Sequence, residues 1–280
     1  MTIRLAGILI GLAFTAVLLL WSLVPGVVNF SLPEPAESHA FYEENVSPEG
    51  GFSFEGPMGK WDTQQLQRGY QVYKEVCAAC HSLKFVAFRD LAQLGYNEAE
   101  VRALAAEWEV PGIDGKDGSA IKRPGLPTDK FPNPYANVVE ARAFNNNAVP
   151  PDLSLMAKAR PDGTNYIYSL MIGYTEPTAE DQAESPDFET PAGLYFNEHF
   201  HNINIAMPPP LKEGVVSYTD GTEATTEQMA QDVAAFLTWT AEPAMPKRKS
   251  MGWFIIAFLV FATGLAYLSK KQVWADKKKK

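Results

Sequence analysis

The sequence predicts a mainly α chain of 280 residues: a helical domain with long irregular insertions, plus an apolar helix at the N-terminus and a transmembrane helix near the C-terminus. Three observations predict this. Leu5 to Val24 and Met251 to Ser269 are charge-free apolar runs of 20 and 19 residues, each long enough to cross a hydrocarbon core of roughly 30 Å as a helix. Between them, apolar residues recur at three- and four-residue spacing in two stretches that start with capping residues. Residues 110–137 carry Pro111-Gly112, Asp114-Gly115, Asp117-Gly118, Pro124-Gly125, Pro127, Pro132 and Pro134, which reads as a long irregular connection.

In chain order, residues 1–29 form the N-terminal apolar helix. It has two readings, a cleaved signal peptide or a retained anchor. The run is longer than the usual signal core of about 7–15 residues, and the small-residue site Ser38-His39-Ala40 lies far beyond its end. Residues 30–246 form the exported domain. Its first helix starts at Asp62 or Thr63 as N-cap, and Leu66, Tyr70, Tyr73 and Val76 make one apolar stripe, with Gly69 beside it leaving room for a second helix to approach. Its last helix starts at Thr225, where Gln228 three residues on fits a capping box, and Met229, Val233, Phe236, Leu237 and Thr240 carry its apolar face. Residues 247–270 form the transmembrane anchor and 271–280 a basic tail.

Charge sets the topology. Lys270, Lys271 and Lys277 to Lys280 follow the second run with only Asp276 against them. The tail is therefore cytoplasmic and the domain lies on the opposite, periplasmic side of a bacterial inner membrane. Lys247, Arg248 and Lys249 run against this rule locally. The chain carries −9; Arg4 and everything from Lys247 onward together contribute +9, which leaves −18 for residues 5–246. Such a charge excludes nucleic acid as a partner and favours basic proteins, drawn in by long-range attraction.

The two cysteines stand in Cys77-Ala78-Ala79-Cys80-His81. C-x-x-C followed at once by His is the signature of covalent c-type haem attachment, each thiol adding to a vinyl group and the adjacent imidazole turning to the iron. A disulfide fits the compartment. A thioredoxin-like pair wants a βαβ setting, and a zinc site wants two more soft ligands, which no other cysteine supplies. Haem c is the reading that accounts for the histidine.

The iron wants a sixth ligand, and the candidates are His39, His199, His201 and the methionines. Met207 is favoured. It stands in Ile205-Ala206-Met207-Pro208-Pro209-Pro210, where the prolines make a stiff extended loop. Met156 and Met171 fall in helical apolar patterns and read as core filler. His199 or His201 in place of Met207 makes a bis-His haem of lower potential. A first helix before the attachment site, and a last helix crossing it, is the layout of class I cytochromes c.

Several stretches, in order, resemble the cytochrome c1 family, the haem subunits of ubiquinol–cytochrome c oxidoreductases (cytochrome bc1 complexes). They are Arg68-Gly69-Tyr70-Gln71-Val72-Tyr73 leading into the Cys77 to His81 motif; Asn145 through Ala148-Val149-Pro150-Pro151-Asp152-Leu153-Ser154; Gly193-Leu194-Tyr195-Phe196-Asn197; Ala206 to Pro210; and the single C-terminal anchor. The resemblance implies His81 and Met207 as axial iron ligands. It implies Arg160 as the contact of a haem propionate, and Asn145, Pro150, Pro151, Tyr166, Phe200 and Pro210 as haem-lining residues. Asn147 takes a place where glycine is common in the family, and His201 beside the ligand loop is not a family feature.

The implied activity is a one-electron relay in a respiratory chain. One haem accepts an electron from a Rieske iron–sulfur protein and passes it to cytochrome c, within a complex that holds cytochrome b and is dimeric. This chain makes and breaks no substrate bond. Residues 176–189 hold six acids, among them Glu180, Asp181 and Glu184, and no base; they read either as a solvated loop or as a docking patch for a basic cytochrome c. The rival functions are the haem subunit of another complex, such as a terminal oxidase or a periplasmic dehydrogenase, and an open-site haem catalyst or gas sensor.

Overall fold

The computed structural model describes residues 3–31, 41–178, 188–275 and 277. The fold is mainly helical, and its centre is the crossing of α2 (Thr63–Glu75) with α7 (Thr226–Ala241). Asp62 is the N-cap of α2, its carboxylate accepting from the amides of Gln64 and Gln65. Leu66, Tyr70 and Tyr73 of the expected stripe are buried, and Val76 caps the C-terminus. Thr225 caps α7, its hydroxyl accepting from Gln228 N–H at 3.1 Å. The side chain of Gln228 turns to the Asp232 carboxylate instead of closing a capping box.

Gly69 permits the crossing. A Cβ there would stand 2.1 Å from the carbonyl oxygen of Asp232 and 2.6 Å from Phe236 Cβ. Beside it in α2, Arg68 reaches Asp232 through Nε at 2.9 Å and Asp220 through Nη1 at 2.9 Å. The apolar face expected for α7 is buried, and so is nearly every residue from Met229 to Ala241, because α2, α5 (Met156–Ala159) and α6 (Gly163–Ile172) pack around it. The fully buried Asp232 survives there because Arg68 and Gln228 both bond it.

After α2 the chain makes a 3₁₀ turn (Cys77–Ala79), a second 3₁₀ segment (Phe88–Leu94) and α3 (Glu98–Ala106). Part of the stretch read as irregular forms a hairpin: β1 (Glu109–Ile113) pairs antiparallel with β2 (Ala120–Pro124). Its loop is closed by Asp114 and Asp117, which accept from Lys116 N–H and Ser119 N–H, and by Gly118 at φ +74°. The following segment returns Phe131 to an aromatic cluster with Tyr73, Phe88 and Trp108. Then come α4 (Val138–Phe144), α5, α6, and the two-residue strands β3 (Tyr195–Phe196) and β4 (Asn204–Ile205), which pair antiparallel beside a small core of Phe41, Phe196 and Ile203.

The apolar ends are helices: α1 (Ile3–Ser31) and α8 (Met245–Val273). Both are long and apolar enough to cross a membrane, and the windows that qualify are not buried against the rest of the chain. The 29 residues of α8 span about 44 Å. Its first turns are tied to the domain: Lys249 Nζ donates to Phe54 O at 2.7 Å and Gly56 O at 3.0 Å, and Arg248 pairs with Glu242 at 2.5 Å. These bonds are a structural use for the basic residues that run against the charge rule.

Candidate functional site

The attachment motif sits where α2 ends. Val76 N–H closes the last turn on Val72 O, and the chain tightens so that Cys80 N–H and His81 N–H both donate to Cys77 O, at 3.1 and 2.9 Å. This brings two cysteines and the histidine onto one turn. Both cysteines are free thiols, half-buried, with no disulfide between them. Burial, with Cys80 adding, pushes the Cys77 thiol up to about 12. A neutral thiol in that setting is unlike the low-pKa thiolate of a dithiol redox pair.

His81 is held from two sides. Its Nδ1 lies 2.8 Å from Pro151 O, and Tyr73 donates its hydroxyl to the His81 carbonyl at 3.0 Å. Burial lowers the histidine's pKa against the opposing effects of Pro151 and Asp152, so the ring is a neutral imidazole. With Nδ1–H spent on a carbonyl, Nε2 carries the lone pair, which is the donor a metal needs.

The Pro150-Pro151 segment owes its place to Asp152. Its carboxylate accepts from Ser82 Oγ at 2.7 Å, Lys84 N–H at 2.9 Å and Ser154 N–H at 3.1 Å. Leu153 N–H returns to Ser82 O at 2.9 Å, and Ser154 Oγ accepts from Phe85 N–H at 3.1 Å. Segments 82–85 and 151–154 are thus laced together, which presents Pro151 O to His81.

Asn145 ends α4; its amide donates to Ala141 O at 2.6 Å and its oxygen accepts from Tyr135 OH at 3.3 Å. Asn146 and Asn147 follow at φ +50° and +66°, in the region asparagine tolerates better than other non-glycine residues. Arg160 caps α5, is exposed, and holds its guanidinium 6.0 Å from the Tyr166 ring centre. Phe200 is half-buried in the turn 197–203, where Ile203 N–H donates to Phe200 O. Ile203 stands at φ +51°, a costly conformation for a β-branched residue, held by the bonds around it. Met207 and Pro210 are half-buried, and Tyr174 donates its hydroxyl to Met207 O at 3.1 Å.

Beyond the bonds within the attachment turn, the structure brings His81 against Pro151 and Arg160 against Tyr166 among the expected residues. The competing histidines have other surroundings. His199 is buried, with Nδ1 3.1 Å from Glu43 O and Nε2 3.6 Å from a Glu198 oxygen. His201 is exposed and meets the Tyr42 ring edge-on at 6.2 Å. His39 lies outside the described residues, as do Glu180, Asp181 and Glu184 of the acidic stretch.

Three residues that organise the site had no assigned role in the sequence. Asp152 stood inside a quoted motif, but its three donors come from two segments. Tyr135 and Tyr174 act across 10 and 33 residues, and no local spacing signals either.

The donor set suits a covalently attached haem: two free thiols and an imidazole with one nitrogen open on a single turn, a thioether on a separate loop, and an exposed guanidinium. Large apolar side chains flank these segments in the sequence and stand exposed: Phe144, Val149, Leu155 and Tyr195.

Residues 52–277 match the model of the Cytochrome C1 family. The chain is 44% identical to cytochrome c1 of Rhodospirillum rubrum, over 81% of this chain and 87% of that one. It is 42% identical to a cytochrome b/c1 of Bradyrhizobium diazoefficiens, over 82% of this chain but 36% of that protein. A mitochondrial cytochrome c1 heme protein of Arabidopsis thaliana is 40% identical over 93% of this chain and 82% of its own.

Proposed function

This chain belongs to the cytochrome c1 family, and from that premise we propose that it is the electron-carrying haem c subunit of a membrane-bound cytochrome bc1 complex. The observation that carries the reading is the Cys77 to His81 turn, with both thiols free and the Nδ1 of His81 committed to Pro151 O. When bound, one haem c supplies a one-electron couple that receives an electron from a Rieske iron–sulfur protein and yields it to a cytochrome c.

The residues divide the work. Cys77 and Cys80 hold the group covalently. His81 and Met207 would hold the iron, and with both bound it would offer oxygen and peroxide no open position. Thioether ligation raises the potential relative to a second imidazole. Arg160 pairs with a propionate as a guanidinium does with any carboxylate. Asn145, Pro150, Pro151, Tyr166, Phe200 and Pro210 line the ring.

The domain faces the periplasm, and α8 descends through the membrane to a cytoplasmic Lys270, Lys271 and Lys277. Residues 30–246 are the haem domain, 247–270 the anchor and 271–280 the tail. The name of the Bradyrhizobium relative joins b and c1 in one chain, which supports a cytochrome b as the neighbour in the membrane. A dimeric complex follows from the family. The acids of residues 176–189 steer a basic cytochrome c toward the domain, so the encounter slows with added salt.

Two experiments test this. Denatured protein is stained for bound haem and weighed by mass spectrometry, with Cys77→Ser and Cys80→Ser alongside. Full-length wild type is expected to retain one haem's added mass and each variant to lose one thioether; a wild type that gives up its haem to acidic acetone contradicts covalent attachment. Affinity capture of the full chain from mild detergent is expected to bring a cytochrome b and a Rieske protein with it. Capture of an oxidase or dehydrogenase in their place would assign the chain to another complex.

A further inference from the structure

Residues 206–210 read Ala-Met-Pro-Pro-Pro. Three consecutive prolines offer no amide donors, so this loop has little means of fixing itself through its own backbone. It is anchored before and after: Ile205 pairs with Tyr195 across the β3–β4 ribbon, and Leu211 is buried in the core. Between these anchors, among the described residues, the hydrogen bond that reaches the loop is the one from Tyr174 OH to Met207 O, at 3.1 Å.

Tyr174 is itself held in place. It follows Gly173, the C-cap of α6, whose N–H returns to Ser169 O at 2.8 Å. A Cβ on Gly173 would stand 2.7 Å from His199 Cδ2 and 2.9 Å from Asn197 Oδ1, and Gly173 O accepts from Glu198 N–H at 3.1 Å. Asn197 is fully buried; it donates to Leu170 O at 2.8 Å and accepts from His199 N–H at 3.1 Å. The end of α6 and residues 197–199 are therefore one bonded unit, and Tyr174 projects from it onto the methionine loop. A phenol, with an ordinary pKa of about 10, is a donor throughout the neutral range.

We propose that Tyr174 is a positioning residue for Met207, its phenol fixing the Met207 carbonyl so that the thioether stays on the iron. The inference rests on the reading of Met207 as an axial ligand. In this account the buried His199 and Asn197 serve as the platform for Tyr174 and take no part in ligation.

The test uses the full-length haem-loaded membrane protein as Tyr174→Phe, Gly173→Ala and Met207→Leu beside the wild type. The readouts are the sulfur-to-iron charge-transfer absorption of the oxidised protein, carbon monoxide binding to the reduced protein, and the reduction potential. Phenylalanine keeps the ring and removes only the hydroxyl. Tyr174→Phe is expected to keep wild-type haem content, weaken the sulfur band, lower the potential and raise carbon monoxide binding about tenfold, the factor that one lost hydrogen bond gives. Gly173→Ala shifts the platform and is expected to move all three readouts the same way. If Tyr174→Phe behaves as wild type while Met207→Leu opens the iron, Tyr174 does not position the ligand and the inference falls alone. If Met207→Leu itself changes nothing, the axial assignment of Met207 falls, and this inference with it.

Discussion

The Nδ1 of His81 lies 2.8 Å from the carbonyl oxygen of Pro151, a residue 70 positions further along the chain. One hydrogen bond therefore joins the attachment turn to the Pro150-Pro151 segment. It settles which imidazole nitrogen holds the proton and which is open.

Asp152 underwrites that bond, since its carboxylate takes three donors from the two segments. Replacing it with alanine leaves those donors unsatisfied. The expected cost is about 2–4 kcal/mol of stability, read as a lower thermal midpoint of the haem-loaded protein. The carboxyl is held below its ordinary pKa: burial pushes it up, but the bonds from Lys84, Ser82 and Ser154 outweigh that. A depressed acid contributes stability that is full above its unfolded pKa, about 3.9, and is lost as pH falls through its lower folded value. Wild type is thus expected to lose stability faster than Asp152→Asn below about pH 4. Parallel acid titrations followed by far-ultraviolet circular dichroism would reveal it, and superimposable curves would refute it.

Gly69→Ala tests the helix crossing. Its Cβ would fall 2.1 Å from a backbone oxygen of α7, which cannot swing aside as a side chain does. The expected loss is about 3 kcal/mol, the upper end for overpacking, with lower yield of folded haem protein. Retention of the wild-type melting temperature would mean that α2 and α7 cross further apart.

Arg68 and Asp232 form a buried ion pair, their side chains 15% and 0% exposed. Arg68→Met strands the fully buried Asp232 carboxylate and is expected to cost about 3–5 kcal/mol, whereas Arg68→Met combined with Asp232→Leu is expected to cost far less than the two single changes added together. Chemical denaturation of the four proteins supplies the comparison.

Ending the chain before Met251 removes the apolar part of α8 and leaves Lys249 with its bonds to Phe54 and Gly56. The truncated protein, also without residues 1–29, is expected in the soluble fraction with its haem spectrum intact. Its retention in washed membranes would point to another anchor.

Much of this molecule is legible in the sequence because its strongest signals are local. The Asp62 cap, the Leu66-Tyr70-Tyr73 stripe, Thr225 and the apolar ends all stand in the structure, and the room left by Gly69 is filled by α7. The hairpin at 109–124 escaped because its two Asp-Gly turns lie among prolines and glycines with no alternating pattern. Asp232 escaped because a charge on an apolar helix reads as a solvent face until Arg68, 164 residues away in sequence, is brought against it. The organising residues Asp152, Tyr135 and Tyr174 escaped for the same reason. Their chemistry lies in contacts between segments, and neither residue type nor spacing announces such contacts.

The most direct test of the central claim is the absorption spectrum of the reduced full-length protein, recorded with and without carbon monoxide and repeated on Met207→Leu. The account predicts a sharp c-type α-band indifferent to carbon monoxide in the wild type, and a lower potential with new carbon monoxide binding in the variant. A wild type that binds carbon monoxide readily, or a variant identical to it, would contradict a Met207-ligated electron carrier.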